Sequence, residues 1–341
     1  MSELVSAART AAEVLEWSRD LVTPALRGAI DALPPAIRDI AGYHFGWWDA
    51  DGRPASADGG KALRPALVLL AAAAVGSAPE PVVPAAVAVE LVHNFSLLHD
   101  DVMDGDTTRR HRPTVWSVFG IPAAILAGDA LLTSAFEIIA ETGHPNARTA
   151  LSRLSAAVQA LVAGQAADVS FERSSDVGVA ECITMAEGKT AALIGQSCAL
   201  GALFGNGTRQ QVAAIHRFGD RMGLAFQVAD DLLGIWGDPA VTGKSVYSDL
   251  ASRKKSLPVV AALNSGALAA RELAALYHDP APLDLGHVAE LVDRCGGRAW
   301  CRTTADELVT EALGHLASAR PVGPAGDELT GLAALAVRRD H

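Results

Sequence analysis

From Ala62 onward, apolar residues recur every three to four positions in long runs, and that spacing predicts helices. The runs cover about 62–76, 82–104, 121–141, 146–172, 177–203, 208–235, 256–264, 268–277, 284–295 and 298–318. An earlier run from about Ala7 to Ile30 carries Val14, Leu15, Leu21 and Leu26, and Pro34-Pro35 breaks it. Polar, Gly-rich punctuation falls at Asp49–Gly60, at Gly143-His144-Pro145-Asn146 and at Gly205-Asn206-Gly207. No alternating segment of convincing length predicts a strand. Heptads, low-complexity tracts and short-period repeats are missing from the pattern. The expectation is all-α, with residues 1–341 forming one domain because no shift in composition marks a linker.

Composition sharpens this picture only slightly. Half the residues are apolar but 5% are aromatic, and the Ala- and Leu-rich balance favours helix. The formal net charge of −11 excludes a nucleic-acid binder, whose domain carries a basic patch. Such acidity also suits an anionic ligand poorly, unless bound cations invert the local charge. Cys182, Cys198, Cys295 and Cys301 have no paired spacing, which reads as a reduced, cytoplasmic protein. The N-terminal segment lacks the apolar run of a signal peptide. Pro65–Val75 is apolar but too short for a bilayer, so no membrane span is expected.

The acidity is concentrated in two places. In Leu97-Leu98-His99-Asp100-Asp101-Val102-Met103-Asp104, a helix puts Asp100 and Asp104 one turn apart on the same face, with Asp101 and Asp104 also one turn apart. Stacked carboxylates repel unless a cation joins them. Oxygen-only donors favour a hard ion, and Mg²⁺ takes one or two carboxylates plus phosphate oxygens and water. The second cluster, Phe226-Gln227-Val228-Ala229-Asp230-Asp231, also closes an apolar helix, but its fifth position is Gly234. Asp238 lies eight residues past Asp230, roughly 12 Å along a continuous helix. Asp230 is therefore the expected main ligand there, with Asp231 acting through water. One such pair is usually a solvated helix end; two of them, each beside cationic motifs, argue for a site.

The cationic groups are Lys61 and Arg64 at a helix start, where backbone N–H groups also favour anions, and Arg109 and Arg110 just after the first cluster. Arginine forks hold phosphate oxygens in pairs. Lys189-Thr190, Lys244 and Arg253-Lys254-Lys255 follow. Gly243-Lys244-Ser245 is not a P-loop, because Asp238 stands where the first glycine belongs and no strand precedes it. Metal-bearing carboxylates and cations together suit one or two diphosphates, with the metal stabilising a diphosphate as it leaves.

These elements, in order, resemble the trans-isoprenyl diphosphate synthase, or polyprenyl synthetase, family. Gly59-Gly60-Lys61-Ala62-Leu63-Arg64-Pro65 is similar to its GGKRLRP element, with Ala62 replacing an arginine. Asp100 to Asp104 followed by Arg109-Arg110 resembles its first aspartate-rich motif, and Gln165 to Asp168, Lys189-Thr190 and Phe226 to Asp231 resemble later elements. The resemblance implies the isoprenoid synthase fold: a single helical bundle around a central apolar cavity, usually as a homodimer. It implies Mg²⁺ held by Asp100, Asp104 and Asp230, with Asp101 and Asp231 supporting. Arg109, Lys189 and Lys244 would grip the allylic diphosphate. Lys61, Arg64, His93 and Arg110 would bind isopentenyl diphosphate, with Lys254 a further substrate-binding cation. Thr190 and Gln227 would lie near the reacting carbons.

In that family, residues upstream of the first motif govern product length. Phe95 and Ser96, five and four positions before Asp100, resemble a short-chain enzyme making C20, with C15 next. Two other readings compete. A class I terpene cyclase shares the metal chemistry but lacks the Lys61/Arg64 element, and a non-catalytic or cargo subunit would not need both Asp pairs.

Overall fold

A computed structural model describes residues 8–55, 60, 62–174, 176–238, 246–279 and 281–337. The chain is 76% helical, the all-α architecture that the periodicity predicts. The helices run α1 (Ala11–Asp31), α2 (Pro35–His44), α3 (Leu63–Ala74), α4 (Val83–Met103), α5 (Val115–Phe119), α6 (Ile121–Glu141), α7 (Ala147–Phe171), α8 (Val179–Ala186), α9 (Ala192–Phe204) and α10 (Arg209–Trp236). Further helices span Ser248–Ala251, Leu257–Leu263, Leu268–His278, Leu285–Arg294, Gly297–Ala319 and Ala325–Val337.

Local chemistry explains the ends. At α1, the Thr10 hydroxyl accepts from the Glu13 N–H while the Glu13 carboxylate accepts from the Thr10 N–H, a reciprocal cap. Between Arg109 and Arg112 the chain reverses in two residues, pairing Thr108–Arg109 with Arg112–Pro113. Arg110 and His111 form that turn at φ +50 and +61. Glycine or asparagine normally fills such positions, so two bulky residues there store strain. This hairpin is the strand structure that the periodicity does not reveal. Helices α2 and α5 and the Ser248–Ala251 and Ala325–Val337 helices are likewise outside the expected segments.

By contacts the chain divides into two compact units. One contains the chain up to Val158, with Gln196–His216 and Leu316–Gly331. The other contains Gln159–Gly195, Arg217–His315 and the chain from Leu332. In the first unit α4 is the core, packed most extensively on α6 and also against α1 and α3. Its Val87, Leu91 and Leu98 are essentially inaccessible, which removes about 25 cal/mol of cost for each Å² of apolar surface taken from water. In the second unit, Cys182, Met185, Leu224, Val228, Leu257 and Val260 share one core cluster.

Among the described residues, two stretches are long and apolar enough to cross a bilayer by length and composition, Glu80–Met103 and Ile121–Glu141. Both are longer than the apolar stretch Pro65–Val75. The first is 72% buried within the protein, whereas the second is only 33% buried. Ile121 and Leu126 on α6 are more than half exposed.

Candidate active site

In the first unit, α4 carries the first carboxylate cluster at its C-terminal end. Asp104 is the cap residue, its N–H bonded to the Asp100 carbonyl (2.8 Å). Asp104 is exposed and Asp100 half-buried, so this pair can offer oxygens to an ion. Asp101 turns the other way and is 2% exposed. Its Oδ1 accepts from Arg109 through both Nε and a terminal nitrogen, each at 2.7 Å. Burial pushes the Asp101 carboxyl up while Arg109 pulls it down. Asp101 thus orients Arg109 through one of its two oxygens.

The cations of the same unit gather around His93. Burial first, then the charges of Arg64, Arg110 and Arg109, hold its imidazole well below the ordinary value, so it is neutral. Arg64 comes from α3, His93 from α4 and Arg110 from the strained turn, and the fold brings all three together. Lys61 lies outside the described residues. Just before α3, Ala62 adopts φ +50, the left-handed conformation that side chains disfavour. Phe95 and Ser96 are buried on α4. The Phe95 ring meets His99 edge-on, with centroids 4.8 Å apart, and His99 Nε2 donates to the Ile125 carbonyl of α6 (3.1 Å).

In the second unit, Lys189 and Thr190 sit in a turn of π-helix, Glu187–Ala191, inserted between α8 and α9. Such turns concentrate at functional sites because they re-aim side chains. Gly188 permits it: a Cβ there would lie 2.7 Å from the Ala160 carbonyl of α7. Lys189 donates to Asp168 on α7 (2.6 Å). Thr190 donates its hydroxyl to Gln227 Oε1 (2.5 Å), and Gln227 Nε2 donates to Asp231 Oδ1 (2.7 Å). The other Asp231 oxygen accepts from the Leu257 N–H (2.9 Å). Burial pushes Asp231 up to about 6, with Asp249 adding to the rise and Lys254 opposing it. Both Asp231 oxygens therefore serve protein donors, whereas Asp230 is exposed at the helix surface. Lys244 lies outside the described residues.

The motif's gap at Gly234 has a steric reason. A Cβ at that position would run into the carboxylate of Asp249. Asp249, on the Ser248–Ala251 helix, is 9% exposed and supplies a third acid to this cluster. It lies fifteen positions after Gly234, so no spacing rule flags it. Asp238, weighed above as the substitute, lies beyond the end of α10 at Trp236 and is exposed.

A polyprenyl synthetase family model matches residues 53–294. The chain belongs to the polyprenyl synthetase family. It is 48% identical over 310 residues to a (2E,6E)-farnesyl diphosphate synthase of Mycobacterium bovis, covering 89% of this chain and 86% of that protein. It is equally 48% identical over 331 residues to a geranylgeranyl diphosphate synthase of Mycobacterium tuberculosis, covering 96% and 93%. A crystal structure of a polyprenyl synthetase from Streptomyces coelicolor superposes with a TM-score of 0.91 at 46% identity, covering 95% of this chain and 99% of that one.

Proposed function

We propose that this polyprenyl synthetase is a short-chain trans-prenyltransferase that condenses isopentenyl diphosphate with an allylic diphosphate. The observation that carries this reading is the cluster of Arg64, His93 and Arg110 in the same unit as the Asp100/Asp104 pair. A cyclase needs one diphosphate subsite; a condensing enzyme needs a second anion site, and this cationic cluster supplies one. The names of the relatives likewise lend no support to a cyclase or to a non-catalytic subunit.

The donor chemistry suits Mg²⁺: Asp100 and Asp104, one turn apart on α4, and Asp230 on α10 are carboxylates that would hold it, with phosphate oxygens and water as its other ligands. When bound, the ion supplies Lewis acidity to the departing allylic diphosphate. Arg109, aimed by Asp101, and Lys189, with Lys244, hold that diphosphate. Arg64 and Arg110, with Lys61, hold isopentenyl diphosphate, and neutral His93 contributes a hydrogen bond rather than charge. Thr190 and Gln227, fixed in one orientation by Asp231, stand beside the reacting carbons; Lys254 adds positive charge near Asp231. Phe95 limits the hydrocarbon to C20, with C15 as the nearest alternative.

Residues 1–341 act as one catalytic domain, a reading supported by the 53–294 match and the extensive coverage of both relatives. A homodimer is favoured by the exposed apolar residues of α5 and α6, including Phe119, Ile121 and Leu126. The cytoplasm is the proposed compartment, consistent with four buried cysteines. The test is transfer of label from isopentenyl diphosphate into a longer prenyl diphosphate, with Arg110→Ala weakening isopentenyl diphosphate at least tenfold. Release of a cyclised hydrocarbon from an allylic primer alone would contradict the reading.

A further inference from the structure

A buried polar chain joins α2 to the cationic cluster. Asn94 on α4 is fully buried and spends its amide N–H groups on Glu90, one turn back, at the carbonyl (2.8 Å) and at Oε1 (2.9 Å). Its remaining oxygen faces His44 Nε2 at 3.0 Å. Because Asn94 Oδ1 can only accept, Nε2 carries the proton and donates. Enclosure, then the guanidiniums of Arg110, Arg109 and Arg112, push the His44 pKa down to about 3, so the imidazole is neutral.

The far end of the chain is Glu90, 7% exposed. Burial raises its pKa, and Arg64 is the strongest opposing influence, with Asn94 and then Arg110 behind it. Glu90 thus shares its enclosure with Arg64 and Arg110, the two proposed isopentenyl diphosphate cations, and is tied to α2 through Asn94 and His44. A buried carboxylate with a free rotamer would let those cations shift, whereas one held by an amide cannot. The end of α2 is itself anchored to the hairpin bearing Arg110. Arg112 donates to the Tyr43 carbonyl (3.0 Å) and Tyr43 donates its hydroxyl to the Pro113 carbonyl (2.8 Å). His44 precedes residue 53, where the family match begins, so that match assigns it nothing.

We propose that His44 and Asn94 are positioning residues of the isopentenyl diphosphate subsite, acting through Glu90 on Arg64 and Arg110. The inference rests on the functional reading above. It predicts that affinity for one substrate depends on a helix that need not touch it.

The test is steady-state kinetics on the full chain with isopentenyl diphosphate and geranyl diphosphate varied separately. His44→Ala and Asn94→Ala should raise KM for isopentenyl diphosphate roughly tenfold, the loss of one buried hydrogen bond, while KM for geranyl diphosphate and kcat stay within about twofold. His44→Gln, whose amide N–H can reach Asn94, should recover most of the affinity, and His44→Asn, one methylene shorter, should not. That second pair keeps the test intact if an alanine variant does not fold. Equal changes in both KM values, no change, or a glutamine variant no better than asparagine would overturn the proposal. Wild-type protein that extends no primer would instead overturn the function itself.

Discussion

Gly234 lies against the carboxylate of Asp249, so the position where an aspartate would complete the second cluster is already filled by an aspartate from another helix. Gly234→Asp would place two carboxylates and a side chain in one volume, adding steric overlap to like-charge repulsion. Restoring the five-residue pattern should therefore lower activity more than tenfold and reduce Tm, as read by turnover and thermal melts. Unchanged turnover would show that Asp249 can move aside.

Asp230 and Asp231 are neighbours with different tasks, and asparagine distinguishes them. Both Asp231 oxygens accept N–H groups, so Asp231→Asn must turn an amide N–H₂ toward a donor. The expected cost is about 1–3 kcal/mol of stability, seen by denaturant titration. Asp230→Asn, at the exposed surface, should leave stability within ~0.5 kcal/mol and cut turnover by at least tenfold. The reverse pattern would move the metal role to Asp231.

Phe95 is buried beside His99, and α6 holds that histidine through the Ile125 carbonyl. Phe95→Ala empties a volume of several methylene groups at the proposed floor of the hydrocarbon site. Products longer than C20 should then appear on chromatography of the dephosphorylated lipids. An unaltered product spectrum would remove Phe95 as the length determinant.

A pH experiment addresses the tie between the N-terminal segment and the Ala325–Val337 helix. Glu328 is 2% exposed and accepts from the Arg9 guanidinium at both oxygens, each 2.8 Å. Burial alone would raise its pKa, but the Arg9 hydrogen bonds hold it below the ordinary 4.5. A depressed carboxyl pKa stabilises the fold above the unfolded value and loses that contribution as pH falls through the folded value. Arg9→Ala should therefore cost about 2 kcal/mol at pH 7, with the deficit shrinking below pH 4.5. A deficit independent of pH would assign the effect to the contact of Arg9 with the Trp17 ring instead.

Helical periodicity located most helices because burial of one stripe imposes it, and the motif residues on α4 and α10 follow from the same spacing. What the spacing could not reveal depends on backbone states or on partners far along the chain. The π-turn at Lys189 follows from a close approach of α7. The Arg110-His111 turn runs against turn propensity, so no local signal marks it. Asp101 and Asp231 look alike when read along a helix; only the positions of Arg109, Gln227 and Leu257 show that one Asp101 oxygen and both Asp231 oxygens serve protein donors. Helix α2 was hidden because Pro34-Pro35 reads as a break, although proline at a helix start is favourable.

The central claim is Mg²⁺-dependent elongation from an allylic primer. Full-length protein would be incubated with labelled isopentenyl diphosphate, each of the C5, C10 and C15 primers, and either Mg²⁺ or EDTA. The account predicts Mg²⁺-dependent label in prenyl diphosphates that end at C20, or at C15 if the floor is tighter, and no incorporation in EDTA. No elongated product from any primer, or elongation undiminished by EDTA, would contradict it.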